Sequence, residues 1–146
     1  MEKHLNAKVL LVDDEEDFIH TLSQRLEVRG LKVTGATRGA DAVELVDKQE
    51  FDAIVLDLAM PGMDGLETLK KIRENHPEAE IIILTGHASV KTSIEAMKLG
   101  AEDYLEKPVD MQDLLKKIEE AKHKRILVLR KQSKEEIEKI LKSKAW

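Results

Sequence analysis

Five side chains in this 146-residue sequence carry reactive chemistry, and each closes a short apolar run. They are Asp13 and Asp14 in "VLLVDDEED", Asp57 in "AIVLDLAMPGMDG", Thr85 in "IIILTGHAS" and Lys107 in "DYLEKP". A charge at the end of a buried run costs several kcal/mol unless something compensates for it. Two carboxylates about 4 Å apart repel by about 4 kcal/mol at an effective dielectric near 20, so three at one place call for a cation. Hard oxygen donors in a partly hydrated cleft suit Mg²⁺, which keeps several waters and takes one or two carboxylates with substrate phosphate oxygens. Beside such an ion Asp57 is a nucleophile able to attack phosphorus and form an aspartyl phosphate. The Lys107 ammonium would add a second positive centre, and the Thr85 hydroxyl a donor to a phosphoryl oxygen.

Taken singly, each residue also has an ordinary reading. Asp14 suits a helix cap, with Glu15, Glu16 and Asp17 favoured at the positive end of that helix. Asp57 is a poorer cap, because "LAMPG" intervenes before any helical pattern begins. A lone lysine is usually solvated, but one directly before Pro108 is held extended. A threonine ending a strand is unremarkable alone. The set carries the chemistry; its members do not.

What must bring the set together is the alternation of elements. The segments "KVLLVDD", "LKVTGAT", "DAIVLD", "EIIILTG" and "DYLEKP" read as strands, mostly too uniformly apolar to have a wet face, as in a parallel sheet covered on both sides. Helical spacing recurs between them: Phe18, Ile19, Leu22 and Leu26; Leu66, Leu69 and Ile72; Val90, Ile94 and Met97; Leu114, Leu115 and Ile118. Ala42, Val43, Leu45 and Val46 form a shorter pattern, and Gly30, Pro77 and Gly100 mark helix ends. Strict β-α alternation predicts right-handed crossovers and an α/β fold: a doubly wound five-stranded parallel sheet in a three-layer sandwich. In such sheets ligands bind beyond the carboxyl ends of the strands, where strand order reverses. Those ends carry Asp13, Asp14, Asp57, Thr85 and Lys107.

Composition narrows the function classes. Apolar residues make up 42% and charged ones 36%, a globular balance, and the chain has no cysteine, which removes disulfides, thiolate metal sites and cysteine nucleophiles. The apolar runs are about one strand long, short of the ~20 residues of a membrane span. "MEKHLNAK" lacks a signal-peptide core, so a cytoplasmic protein is expected, and Met1 is consistent with an intact N-terminus. The net charge of −5 is uneven: residues 1–120 hold 15 basic and 26 acidic side chains, residues 121–146 hold 9 and 3. An acidic body and a basic tail place a boundary near residue 120.

The motifs "VLLVDDEED", "VLDLAMPGMDG", "IIILTGHAS" and "GAEDYLEKP", in this order over residues 7 to 120, resemble the receiver domain of two-component response regulators, with "LTGHAS" and "AEDYLEKPVD" nearest the nitrogen-regulatory kind. The resemblance implies a flavodoxin-like sheet of order 2-1-3-4-5, an order the general rule for these sheets also illustrates with a member of this family. It implies that Asp57 is the phosphoacceptor, taking a phosphoryl group from the phosphohistidine of a sensor kinase or phosphotransfer protein. Asp14 would then ligate Mg²⁺ directly and Asp13 largely through water, with the backbone carbonyl of Ala59 completing the protein ligands. Lys107, its bond to Pro108 cis, would contact the phosphoryl group. Thr85 would be the switch hydroxyl and Tyr104 the aromatic that turns inward with it. Ala59 and His87 would flank the path of hydrolytic water. The helix 4–strand 5–helix 5 face, around Lys91, Glu95, Met97, Lys98 and Leu99, would be the dimer or partner surface.

The domain expected is residues 1–120, followed by a basic amphipathic helical extension or linker over 121–146. There "ILVL" interrupts the pattern of helix five and "SKEE" reads as a capping box opening a further stretch with Ile137, Ile140 and Leu141. Either helix five simply runs on, or the tail packs on another subunit or partner, forming a homodimer through this helix or the helix 4–strand 5–helix 5 face. No nucleic-acid reading motif accompanies the tail's charge, so direct nucleic-acid binding is not expected. A dehalogenase-type phosphatase would need an acid two residues after Asp57, where Ala59 stands, and no P-loop motif occurs. The rival to a phosphorylated signalling module, which would turn over no external substrate, is an interaction scaffold of the same fold that is never phosphorylated.

Overall fold

The computed structural model describes residues 6–59, 64–86 and 89–143. His4 and His87 lie outside the described residues. Five strands, β1 (Lys8–Val12), β2 (Lys32–Ala36), β3 (Ala53–Leu56), β4 (Ile81–Thr85) and β5 (Asp103–Glu106), alternate with α1 (Glu16–Glu27), α2 (Gly39–Lys48), α3 (Gly65–Asn75), α4 (Val90–Lys98) and α5 (Met111–Ser143). The strands form one parallel sheet in the order β2-β1-β3-β4-β5. This is the α/β doubly wound, flavodoxin-like sandwich expected.

Apart from Lys8 at the start of β1 and Thr85 at the end of β4, the three central strands β1, β3 and β4 are apolar because both faces are covered. Successive side chains of a strand point to opposite faces, so each strand feeds two cores. Leu10, Val12, Ile54, Leu56, Ile81 and Ile83 join Ala42, Val46, Leu69, Ile72 and Ala96 under α2, α3 and α4. Val9, Leu11, Val55, Ile82 and Leu84 join Leu22, Leu26, Leu114 and Ile118 under α1 and α5. The edge strands β2 and β5 are only partly buried, which matches their mixed sequences.

Local chemistry sets most helix ends. Ser89 and Thr92 close a capping box at the start of α4, and Asp64 accepts the Glu67 N–H at 2.8 Å to start α3. Gly100, at φ +101°, turns the chain after α4 in a conformation that suits glycine. Asp14 does not cap α1: the N-cap is Glu15, with no side-chain cap, and the Glu15 N–H donates instead to Asp13 Oδ1 at 2.9 Å.

Helix α5 is continuous over its 33 residues, so "ILVL" does not interrupt it and Ser133 opens no new helix. Nothing in the segment stops it: there is no Gly or Pro from 111 to 143, and Leu, Lys, Arg, Gln and Glu are strong helix formers. Its first half is anchored by buried Leu114, Ile118 and Ala121, by Lys117–Asp103 at 2.7 Å, by a Lys124–Glu102 ion pair, and by Arg125 between Glu50 and Asp52 at 3.8 and 3.9 Å.

At the sheet edge carrying the strand N-termini lies a carboxyl pair that sequence reading passed over. Glu80, 4% exposed, precedes β4 and is hydrogen-bonded to Glu102, which precedes β5. Burial, then the Glu102 hydrogen bond and charge, push the Glu80 carboxyl up to about 7, against the opposing pull of Lys124 and Arg73. The guanidinium of Arg73 is committed to backbone carbonyls, donating to Pro77 at 2.8 Å and Gly100 at 2.6 Å.

Candidate functional site

The opposite edge gathers the sequence-predicted acids. β1 delivers Asp13 and Asp14, and β3, its neighbour in the sheet, delivers Asp57; the Asp57 N–H donates to the Val12 carbonyl at 2.9 Å, which extends the ladder one residue past the strand. Asp13 is 3% and Asp57 4% exposed, whereas Asp14 faces solvent. One carboxylate oxygen from each of the three lies within 4.8 Å of the others. Asp57 Oδ1 also accepts the Ala59 N–H at 3.2 Å. The approach of α3 is close here: a Cβ on Gly65 would lie 2.2 Å from Leu58 Cα and 2.4 Å from the Asp57 carbonyl oxygen. Only glycine fits.

From β5 comes Lys107, whose Nζ donates to Asp13 Oδ2 at 2.5 Å and stands 3.7 Å from Asp57 Oδ2. Its bond to Pro108 is cis. Burial pulls the ammonium's pKa down, but the Asp13 hydrogen bond and the charges of Asp13, Asp57 and Glu15 outweigh it, leaving the pKa above the ordinary lysine value. Lys107 is therefore charged at neutral pH. Burial pushes the Asp13 carboxyl up, opposed by the hydrogen bonds from Lys107 and from the Glu15 N–H. One ammonium against three carboxylates leaves the site short of positive charge. The donor set, oxygen only, partly buried and open to water at Asp14, fits a hard divalent cation.

Thr85 is fully buried at the end of β4, and its carbonyl accepts the Lys107 N–H at 3.0 Å, so backbone joins the two residues directly. Tyr104 packs toward α4. It is half-buried on β5 against the α2–α3–α4 core, and its hydroxyl is 3.4 Å from Thr92 Oγ1 of α4. The sequence reading missed one member of the site. Phe18, counted there only as part of the apolar face of α1, places its ring centroid 4.0 Å from Lys107 Nζ. The available signal was an aromatic in the first turn of the helix that follows the acid pair.

A family model described as the response regulator receiver domain matches residues 9–119. The chain is 40% identical over 118 residues to transcriptional regulatory protein ZraR of Escherichia coli K12, covering 81% of this chain and 27% of that one. It is 36% identical over 113 residues to the DNA-binding transcriptional regulator NtrC of the same organism, covering 77% and 24%. The chain thus spans about a quarter of the length of these curated relatives. The expectation against nucleic-acid binding finds no support in them, since NtrC is by name a DNA-binding regulator. Among solved structures, a response regulator receiver domain protein from Clostridium thermocellum superposes with a TM-score of 0.79 at 34% identity, covering 84% of this chain and 98% of that one. Among the described residues no helix is long and apolar enough to cross a membrane. Fold, acid cluster and family match agree: this chain belongs to the response regulator receiver domain family, of the NtrC-like kind.

Proposed function

We propose that the chain is the phosphoacceptor module of a two-component relay and that Asp57 takes the phosphoryl group. The observation that carries this is a nearly buried carboxylate at the carboxyl edge of the sheet, held among Asp13, Asp14 and Lys107. An Asp57 oxygen attacks phosphorus, the O–P bond forms as the donor's N–P bond breaks, and the electron pair and then a proton pass to the departing imidazole. Lys107 steers the phosphoryl oxygens with a charge already in place, and the Ala59 N–H fixes the attacking carboxylate. Asp14, Asp13 largely through water, Asp57 and the Ala59 carbonyl are the groups that would hold Mg²⁺. The chemistry that ion supplies is neutralisation of charge on the transferring oxygens.

The product adds about −1.5 to −2 charges at the edge of the sheet. Thr85 turns its hydroxyl to the new phosphoryl oxygens, Tyr104 follows inward, and the α4–β5–α5 face changes shape. Exposed Val90, Ile94 and Met97 on α4 make that face suited to a partner or a second copy. Residues 1–120 form the receiver, and the helical extension beyond them links or assembles it. The module acts in the cytoplasm on a sensor kinase or phosphotransfer protein and turns over no external substrate.

Intact-protein mass after incubation with acetyl phosphate tests the proposal. A Mg²⁺-dependent adduct of about 80 Da that Asp57→Asn abolishes is the expected result. Absence of both adduct and released phosphate would make the unphosphorylated scaffold the better reading.

A further inference from the structure

The Lys107 ammonium, with its side chain 16% exposed, stands 2.5 Å from Asp13, 3.7 Å from Asp57 and 4.0 Å from the face of the Phe18 ring. An ammonium carries three N–H donors and no acceptor. Asp13 takes one of them, and Asp57 lies beyond hydrogen-bond range. The phenyl ring attracts the cation through its quadrupole, yet it is neither a proton acceptor nor a formal charge. It can therefore cover a side of the ammonium without drawing it away from Asp57, as a further carboxylate would. The ring is itself held: Phe18 is in the first turn of α1 and packs against the core shared by α1 and α5, together with Leu105 and Val109 on either side of Lys107.

We propose that Phe18 is a positioning residue for Lys107, its ring face holding the ammonium between Asp13 and Asp57 so that the lysine meets the phosphoryl group as it arrives. This rests on the role proposed for Asp57 and Lys107. Without the ring, water solvates that side of the ammonium and the side chain regains rotamer freedom, which lowers its effective charge where the phosphoryl oxygens gather.

The test replaces Phe18 in the full chain with 4-fluoro-, 3,5-difluoro- and 3,4,5-trifluorophenylalanine, which keep the ring's shape while draining its negative face. The rate of Mg²⁺-dependent adduct formation from acetyl phosphate is measured in native and Lys107→Ala backgrounds. The expected result is a stepwise fall of about 3- to 10-fold across the series, from a cation–π contact at a partly buried site, that vanishes in Lys107→Ala. NMR supplies a readout that packing alone would not move: the Lys107 Hε protons shift upfield in the native protein, and progressively less along the series. A flat rate series, with Lys107→Ala slowed and the native protein active, overturns the proposal and leaves the role of Asp57 standing. Absence of any adduct on the unmodified protein overturns both, and that outcome is distinct because it appears before any change at Phe18.

Discussion

Glu80→Gln should change how stability depends on pH, far from the Asp13–Asp14–Asp57 cluster. The Glu80 carboxyl, ordinarily near 4.5, stands at about 7 in the folded protein, because burial and then Glu102 disfavour its charge. The folded state therefore holds this proton more tightly than the unfolded chain does. The resulting stabilisation is fully present below about pH 4.5 and is lost as the pH rises through about 7. At 1.36 kcal/mol per unit, the gap amounts to about 3 kcal/mol in all, most of it falling between pH 5 and pH 8. Protonated Glu80 donates to Glu102, and a glutamine amide can donate in the same way without titrating. Urea unfolding of the two proteins at several pH values is the assay, and their difference cancels the titrating groups that do not touch the Glu80–Glu102 pair. Equal stability near pH 5, with the variant ahead by about 2 to 3 kcal/mol at pH 8, is expected. Parallel curves across the range would refute the assignment of this titration to Glu80.

Gly65→Ala drives a methyl into the backbone of Asp57 and Leu58. It should cost at least about 1 to 3 kcal/mol in urea unfolding and, with Asp57 as the proposed acceptor, slow adduct formation from acetyl phosphate, because the backbone of Asp57 must move. Ser89→Ala removes one half of the α4 capping box and should cost about 1 kcal/mol by the same unfolding assay. Ile118→Ala, at a fully buried α5 position, should cost about 2 to 5 kcal/mol. Removal of residues 131–146, exposed wherever described, should by contrast leave unfolding stability within about 0.5 kcal/mol of native.

The convergence of Asp13, Asp14, Asp57 and Lys107 was legible in the sequence because β-α alternation alone decides which ends of the strands share an edge. The apolar runs of β1, β3 and β4 were legible for a related reason, since covering both faces of a sheet favours apolar side chains along the whole strand. Side-chain partnerships were not. Phe18 satisfies helical spacing whether or not its ring meets an ammonium, and Glu80 and Glu102 are 22 residues apart in a chain where charged residues are common. The α1 start was misjudged because Asp14 and Asp13 are equally able to accept an amide hydrogen, and strand geometry chose Asp13. In α5, "ILVL" looked like a break because four successive apolar residues encircle a helix. There the helix is leaving the body, with Leu127 already 51% exposed, so packing no longer imposes a period and intrinsic propensity carries the helix on.

That departure gives α5 mechanical leverage. Its last buried residue is Arg125, and the 18 residues from there to Ser143 reach about 27 Å at the helical rise. The base of the lever follows residues 108–110, directly after Lys107. A tilt of about 5° at Arg125 would carry Ser143 through roughly 2 Å, so a shift too small to repack the core becomes a displacement as large as a side-chain contact. A change of charge at that edge of the sheet that tilted α5 would thus be felt at a tip about 27 Å along the helix from Arg125, more than the width of two packed helices.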